Sequence, residues 1–333
     1  MTMSERPTGD ETLGGISERE TLRRIFPRLP RATAALVGPG DDAAVLSAPD
    51  ARYVVTTDMM VHGPDFRWAW SSPYDLGWKA AATNLSDVAA MGAVPTALVV
   101  AIAAPKATPV AHLLSLADGL RDACAELAPG CGVVGGDLSV SDTFTIAVTA
   151  FGDLQGRAPV LRSGAQSGDV VAVSGDLGRA AAGLRILFEQ AVDAAGEPDP
   201  ERFTAALSDH PEIVSAQLRP HPPIGDGPLA AIAGATAMLD LSDGLALDAR
   251  RVAEASGVAI DLDPSLLGDD VGTALTGGED HSLLAAFPPG TQLPGGFRAV
   301  GRVVDGAGLL VAGRVFDERG GWDPYVGWNG RTG

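Results

Sequence analysis

A chain of 333 residues with 46% hydrophobic and 20% charged residues is long for one core and apolar enough to bury two. Its formal net charge of −18, from 42 acidic against 24 basic residues, excludes a general binder of nucleic-acid backbones, which needs a basic face. With no run of about 18 uncharged apolar residues to span a bilayer, no signal-peptide core, and only Cys124 and Cys131 as thiols, a cytoplasmic protein without membrane partners is expected.

In chain order, the first fifteen residues read as a polar tail. "SERETLRRIF" then starts a helix, with Ser17 and Glu20 spaced as a capping box. "RYVVTTDM" is rich in β-branched residues and reads as a strand ending at Asp58. "SSPYDLGWKAAATNLSDVAAMG" reads as a helix capped by Ser72, begun by Pro73 and closed by Gly92. A buried strand "TALVVAIA", a helix over 109–128 and the strands "CGVVGGD" and "TFTIAVTAFG" follow. A stretch rich in Gly, Ser and Pro, "GDLQGRAPVLRSGAQSGD", sets a domain boundary near residue 155. Beyond it come the strand "VVAVSG", the helix "GRAAAGLRILFEQ", the strand "ATAMLDLSDG", the helix "LALDARRVAEAS" and the strand "VAIDLD". Short strands between Gly/Pro turns complete the chain. Helices and strands interleave in both halves, which predicts an α/β or α+β architecture.

No GxxxxGK[ST] loop, GxSxG elbow, HExxH or EF-hand spacing is present, and the five histidines show no ligand spacing. Aspartates recur instead where apolar strands end or glycine turns open: Asp41 and Asp42 in "GPGDDA", Asp58 in "VVTTDM", Asp137 in "VVGGDL", Asp240 and Asp243 in "MLDLSDG". Asp87 lies within a helix, three residues after Asn84. Singly, each is most simply a turn or cap residue, and Asp243 could cap the helix after it. As a set, carboxylates gathered at one sheet edge repel unless cations sit between them. Oxygen donors without His or Cys suit Mg²⁺, and several Mg²⁺ ions commonly serve a polyphosphate. "GCGVVGGD" offers backbone N–H groups in a turn, and Arg162 in "LRSG" offers a cation beside a loop.

The ordered set "GPGDDAAVL", "TTDM", "DLGWKAAATNLSDVAAMGAVP", "GGD", "RSGAQSGD", "LDLSDGLALD" and "LTGGEDHSLL" resembles the thiamine-monophosphate kinases, within the aminoimidazole-ribonucleotide synthetase-like group of ATP-using enzymes. The resemblance implies a two-domain α/β (α+β) fold: a tail and first helix (1–30), an N-terminal ATP- and Mg-binding domain whose sheet forms a homodimer (31–155), and a C-terminal α/β domain (156–333). It implies in-line transfer of the ATP γ-phosphate to thiamine phosphate, giving thiamine diphosphate and ADP, without a phosphoenzyme. The acceptor is already ionised, so neither an acid nor a base residue is expected, and metals and fixed charges carry the reaction.

Carried over residue by residue, the resemblance implies that Asp42, Thr56, Thr57, Asp58, Asp87, Asp137, Asp240 and Asp243 ligate Mg²⁺. Gly136 and Asp137 would lie along the nucleotide, with Arg162 and Ser242 on its phosphates. Glu279 would contact the thiamine moiety, and Trp322, with Tyr325 as second choice, would stack on it. Asp65 stands where the family often has a histidine facing the substrate, and His62 is an alternative donor. Other readings are aminoimidazole-ribonucleotide synthetase itself, or a silent nucleotide-binding homologue. The selenophosphate synthetase and hydrogenase-maturation relatives need a reactive Cys near one terminus that this chain lacks.

Overall fold

The computed structural model describes residues 11–16, 18–39 and 43–318. Its first half comprises α1 (Glu18–Ile25), the small pair β1 (Ala35–Val37) and β2 (Val45–Leu46), β3 (Val54–Val61), α2 (Pro73–Ala90), β4 (Val94–Ala104), α3 (Val110–Leu127), β5 (Gly132–Val140) and β6 (Thr145–Asp153). The second half runs β7 (Val170–Ser174), α4 (Arg179–Gln190), α5 (Pro200–Asp209), α6 (Pro211–Leu218), α7 (Asp226–Ile232), β8 (Ala237–Leu241), α8 (Leu245–Ser256) and β9 (Ala259–Leu262). It closes with α9 (Val271–Thr276), β10 (Ser282–Phe287), β11 (Arg298–Val304), β12 (Gly308–Val311) and β13 (Arg314–Val315).

Two larger sheets organise these elements. The first has the order β3-β6-β4-β5, and the second β13-β12-β9-β11-β7-β10-β8. In the first, β6 pairs antiparallel with β3 and β4, while β5 runs parallel to β4 after the α3 crossover. One face of that sheet is covered by α2 and α3. Those helices approach closely because glycines meet at the crossing: a Cβ on Gly77 would lie 2.1 Å from Leu116 O, and one on Gly119 2.1 Å from Tyr74 O.

Helix α2 is the hinge of the architecture. Ser72 caps it, as the sequence predicts, and the cap is a full capping box with Asp75. Most of its residues are buried on every side, because the second half packs against the flank that the sheet and α3 leave open. A Cβ on Gly227 of α7 would sit 2.1 Å from Ala89 O, so that contact also needs a glycine. A helix buried all round has no solvent face, and each charged group on it needs a partner or a ligand.

Several local expectations change. Residues 11–15 are not a free tail: Thr12 bridges Pro109, and the Leu13 and Gly14 amides donate to Thr108 O and Lys106 O at 3.0 and 2.8 Å. Ser17, the expected cap of α1, lies outside the described residues. Strand β3 continues past Asp58 to Val61 because it pairs with β6 along its whole length. "CGVVGGD" forms strand β5, as its strand reading predicts, and pairs with β4 instead of presenting a turn for an anion. Helices α5, α6, α7 and α9 fall in stretches to which the sequence reading assigns no element. Pro200 and Pro211 open α5 and α6 at the one helical position where proline fits.

Candidate active site

One stripe of α2 carries Lys79, Thr83, Ser86, Asp87 and Ala90, at the spacing that keeps residues on one helix face. At its C-terminal end the stripe faces a cleft of about 680 Å³ lined by Thr56, Asp87, Arg162 and Asp240, among others. At its N-terminal end it faces a second cavity of about 290 Å³, lined in part by Asp65, Trp70, Lys79, Phe188 and Glu279.

In the cleft, strand β3 turns Thr56 and Asp58 toward α2. The Thr56 hydroxyl donates to Asp87 Oδ2 at 2.8 Å, and the Asp58 amide donates to Asn84 Oδ1 at 3.1 Å. Asp240, on β8 of the other sheet, crosses the seam: its Oδ2 accepts from Ser86 Oγ at 3.1 Å and faces His281 Nδ1 at 3.2 Å. The single Ser86 hydroxyl proton is within reach of both Asp240 and Thr83 O, the latter at 2.7 Å, and so ties α2 to the second half.

These carboxylates are crowded. Burial, then the charges of Asp240 and Asp58, push the Asp87 carboxyl up to about 7, against the opposing hydrogen bond from Thr56. Asp58 is likewise raised, first by desolvation and then by Asp240, Asp243 and Glu279, with His281 opposing. A cation among such carboxylates would favour their ionised forms. Among the described residues no group of three His, Cys, Asp or Glu side chains converges tightly enough to hold a metal ion. The donors nonetheless fit a hard divalent ion in kind, since all are oxygens and the Asp58 and Asp87 carboxyls are both pushed up by burial and neighbouring charge.

Around Asp243 the arrangement is ionic. Arg251 bridges Asp243 at 2.7 Å and Asp248 at 2.6 Å, and Asp248 accepts from the Asp243 amide at 3.1 Å. The N-cap of α8 is Gly244, not Asp243. Ser242 follows Leu241 at the end of β8, and its carbonyl accepts from the Glu279 amide at 2.9 Å.

Other expected residues stand apart. Thr57 points to the opposite sheet face, donating to Val148 O at 3.0 Å and accepting from Thr149 at 3.1 Å. Gly136 lies in the row Asp58–Val148–Val100–Gly136, three strand spacings, about 14 Å, from Asp58. Its missing Cβ would sit 2.0 Å from Val100 O, a packing reason for glycine there. Asp137, beside it, shares the uncovered face with Ala101, Ala147 and Met59. Asp42, with Asp41, and the C-terminal Trp322 and Tyr325 lie outside the described residues.

In the second cavity, Asp65 accepts from the Val61 amide at 2.7 Å and so closes its own turn. Desolvation raises its carboxyl, against that hydrogen bond. The His62 ring packs against Phe66 and Trp68. Glu279 pairs with Lys79. Sequence reasoning missed Lys79, Ser86 and His281; the available signal was that Lys79 is one of two lysines, inside an otherwise apolar helix.

Comparisons with known proteins show which family and fold this chain is similar to. Residues 40–154 match the family model "AIR synthase related protein, N-terminal domain". The chain is 43% identical over 337 residues to thiamine-monophosphate kinase from Mycobacterium tuberculosis H37Rv, covering 96% of this chain and 93% of the relative. It also matches the crystal structure of thiamine-monophosphate kinase from Stenotrophomonas maltophilia K279a, with TM-score 0.74, 31% identity and coverage of 90% and 98%. A third match, "AaThiL complexed with AMPPCP and TMP", has TM-score 0.70, 31% identity and coverage of 85% and 90%. Two sheets joined along a buried, carboxylate-bearing helix, and near full-length identity well above 30%, lead to one conclusion: the chain belongs to the thiamine-monophosphate kinase family.

Proposed function

We propose that the protein transfers the γ-phosphate of ATP to thiamine phosphate, forming thiamine diphosphate and ADP, as a Mg²⁺-dependent homodimer in the cytoplasm. The observation that carries this reading is the pair of cavities at the two ends of one α2 stripe. Asp87 belongs to the acidic cleft and Lys79 to the aromatic-walled cavity. They are eight residues apart, about 12 Å along the helix. A nucleotide in one and a thiamine moiety in the other would meet end to end, which suits in-line transfer. The relative complexed with AMPPCP and TMP supports both ligands.

Mg²⁺, when bound, would screen the phosphates from one another. Asp58, Asp87 and Asp240, with Thr56, are the residues of this cleft that would hold it, together with Asp42 and Asp243. Arg162 would bind a phosphate oxygen as a fixed cation, and Ser242 would donate to another. Ser86 keeps Asp240 aimed across the seam. Glu279 would take the cationic ring end of the substrate, with Asp65 shaping the turn beside it and Trp322 stacking from the C-terminal segment. The working division is 31–155 for the nucleotide and metal domain and 156–333 for the second.

Thr57, Gly136 and Asp137 enter through the dimer. The uncovered face of the first sheet exposes Val55 and Met59, 59% and 61% accessible, which favours a protein partner. β3 and β5 are the two edges of that sheet. A second copy laying its β5 edge beside β3 would bring its own Asp137 toward Asp58 and complete the acidic set. Among the described residues no helix is long and apolar enough to cross a membrane.

The test is direct. Purified protein with ATP, Mg²⁺ and thiamine phosphate is expected to yield thiamine diphosphate and ADP in equal amounts. ATP binding without product would favour a silent nucleotide-binding homologue.

A further inference from the structure

Lys79 is buried, 6% accessible, inside α2, and its contacts cross the seam into the second half of the chain. Its ammonium pairs with Glu279. The Gln217 amide of α6 satisfies both its ends when its oxygen accepts from Lys79 Nζ at 3.1 Å and its nitrogen donates to Ala180 O at 3.0 Å. Lys79, Gln217, Glu279 and Asp65 all line the same cavity.

The turn bearing Glu279 is held from several sides. Glu279 and His281 both adopt left-handed backbone, with φ of 71° and 51°, which costs free energy for residues with side chains. Between them, the Asp280 carboxylate accepts from the Gly178 and Ala180 amides at 2.5 and 2.7 Å. The Glu279 amide donates to Ser242 O at 2.9 Å, and the His281 amide to Leu241 O at 3.1 Å. These bonds fix the backbone, yet among the described residues the only ion-pair partner of the Glu279 carboxylate is Lys79. Burial works to raise that carboxyl, but the charges of Lys79 and His281 hold it below its ordinary value.

We propose that Lys79 is the positioning residue of the thiamine subsite: across the seam it holds the Glu279 carboxylate ordered and aimed into the cavity, so that recognition of the cationic ring end runs through the Lys79–Glu279 pair. This deepens the kinase reading and rests on it. Lys79 does not act on the acceptor phosphate, and its loss affects ligands with and without that phosphate alike.

The experiment is calorimetric titration of thiamine and of thiamine phosphate into wild type, Lys79→Met, Lys79→Gln, Glu279→Gln and the Lys79→Met/Glu279→Gln double variant, with unfolding curves to verify folding. Lys79→Met is expected to weaken both ligands by the same factor, about ten-fold or more, the scale of one charged hydrogen bond. Lys79→Gln, which keeps a donor for Glu279, is expected to fall between. It carries the test if the Met variant does not fold. The double variant is expected to bind no worse than Glu279→Gln alone. The inference is overturned if only thiamine phosphate is weakened, if the two single effects multiply independently, or if neither Lys79 variant changes affinity. A wild type that binds neither ligand and forms no thiamine diphosphate would overturn the kinase reading instead.

Discussion

Replacing Asp87 by Asn should stabilise the metal-free protein while disabling it. Burial and the nearby Asp240 and Asp58 charges move the Asp87 carboxyl from 3.8 to about 7, a displacement of about 4 kcal/mol at full ionisation. The folded chain therefore keeps the Asp87 proton to higher pH than the unfolded chain does. Between about pH 4 and pH 7 the folded form binds more protons, so its stability falls as pH rises and the full penalty is present above pH 7. Asn carries no charge at any pH and removes that penalty. At about 2 °C per kcal/mol for a chain of this size, Asp87→Asn should melt up to about 8 °C above wild type at pH 8 in EDTA, and level with it near pH 4. Differential scanning fluorimetry across this range, with and without Mg²⁺, reads the effect. Added Mg²⁺ should stabilise wild type more than the variant, and turnover of the variant should drop by at least about a hundred-fold. A variant no more stable than wild type at pH 8 in EDTA, or one with wild-type turnover at limiting Mg²⁺, would refute the reasoning.

Further expectations concern the assembly and the seam. Asp87→Asn and Asp137→Asn proteins, each inactive alone, should regain about a quarter of wild-type activity when unfolded together and refolded as a mixture, because half the dimers are mixed and each carries one intact site; no recovery would mean that Asp137 serves its own chain. Gly227→Ala should cost roughly 1–3 kcal/mol in denaturant unfolding, since its methyl would meet Ala89 O at 2.1 Å and backbone must shift. Ser86→Ala removes the hydroxyl between Thr83 O and Asp240. It should cost about 1–2 kcal/mol in the same assay and raise the Mg²⁺ concentration for half-maximal turnover, while leaving the KM for thiamine phosphate unchanged.

Much of this molecule is legible without coordinates. The cap at Ser72, the proline that opens α2 and the β-branched runs are local signals, and the structure reproduces the elements they predict. The same locality explains the failures. The stretches opened by Pro200 and Pro211, to which the sequence reading assigns no element, form helices because tertiary packing gives them a surface to cover.

By itself, then, the sequence determined which residue types are available and which short elements carry them: oxygen donors on β3, α2 and β8, an acidic turn before β10, and glycines where backbones meet. Only the tertiary structure decided which of them share a site. Strand order β3-β6-β4-β5 is not chain order, so Asp137 lies about 14 Å from Asp58 within one chain rather than beside it. Strand alternation sends Thr56 to Asp87 and its neighbour Thr57 to the other face. Burial of α2 between the two halves brings Ser86 against His281, 195 positions away, and Lys79 against Glu279. The physical reason is one of range: periodicity, capping and turn chemistry act over a few residues, whereas the pairing of buried charges is set by which distant surfaces exclude water from the same helix.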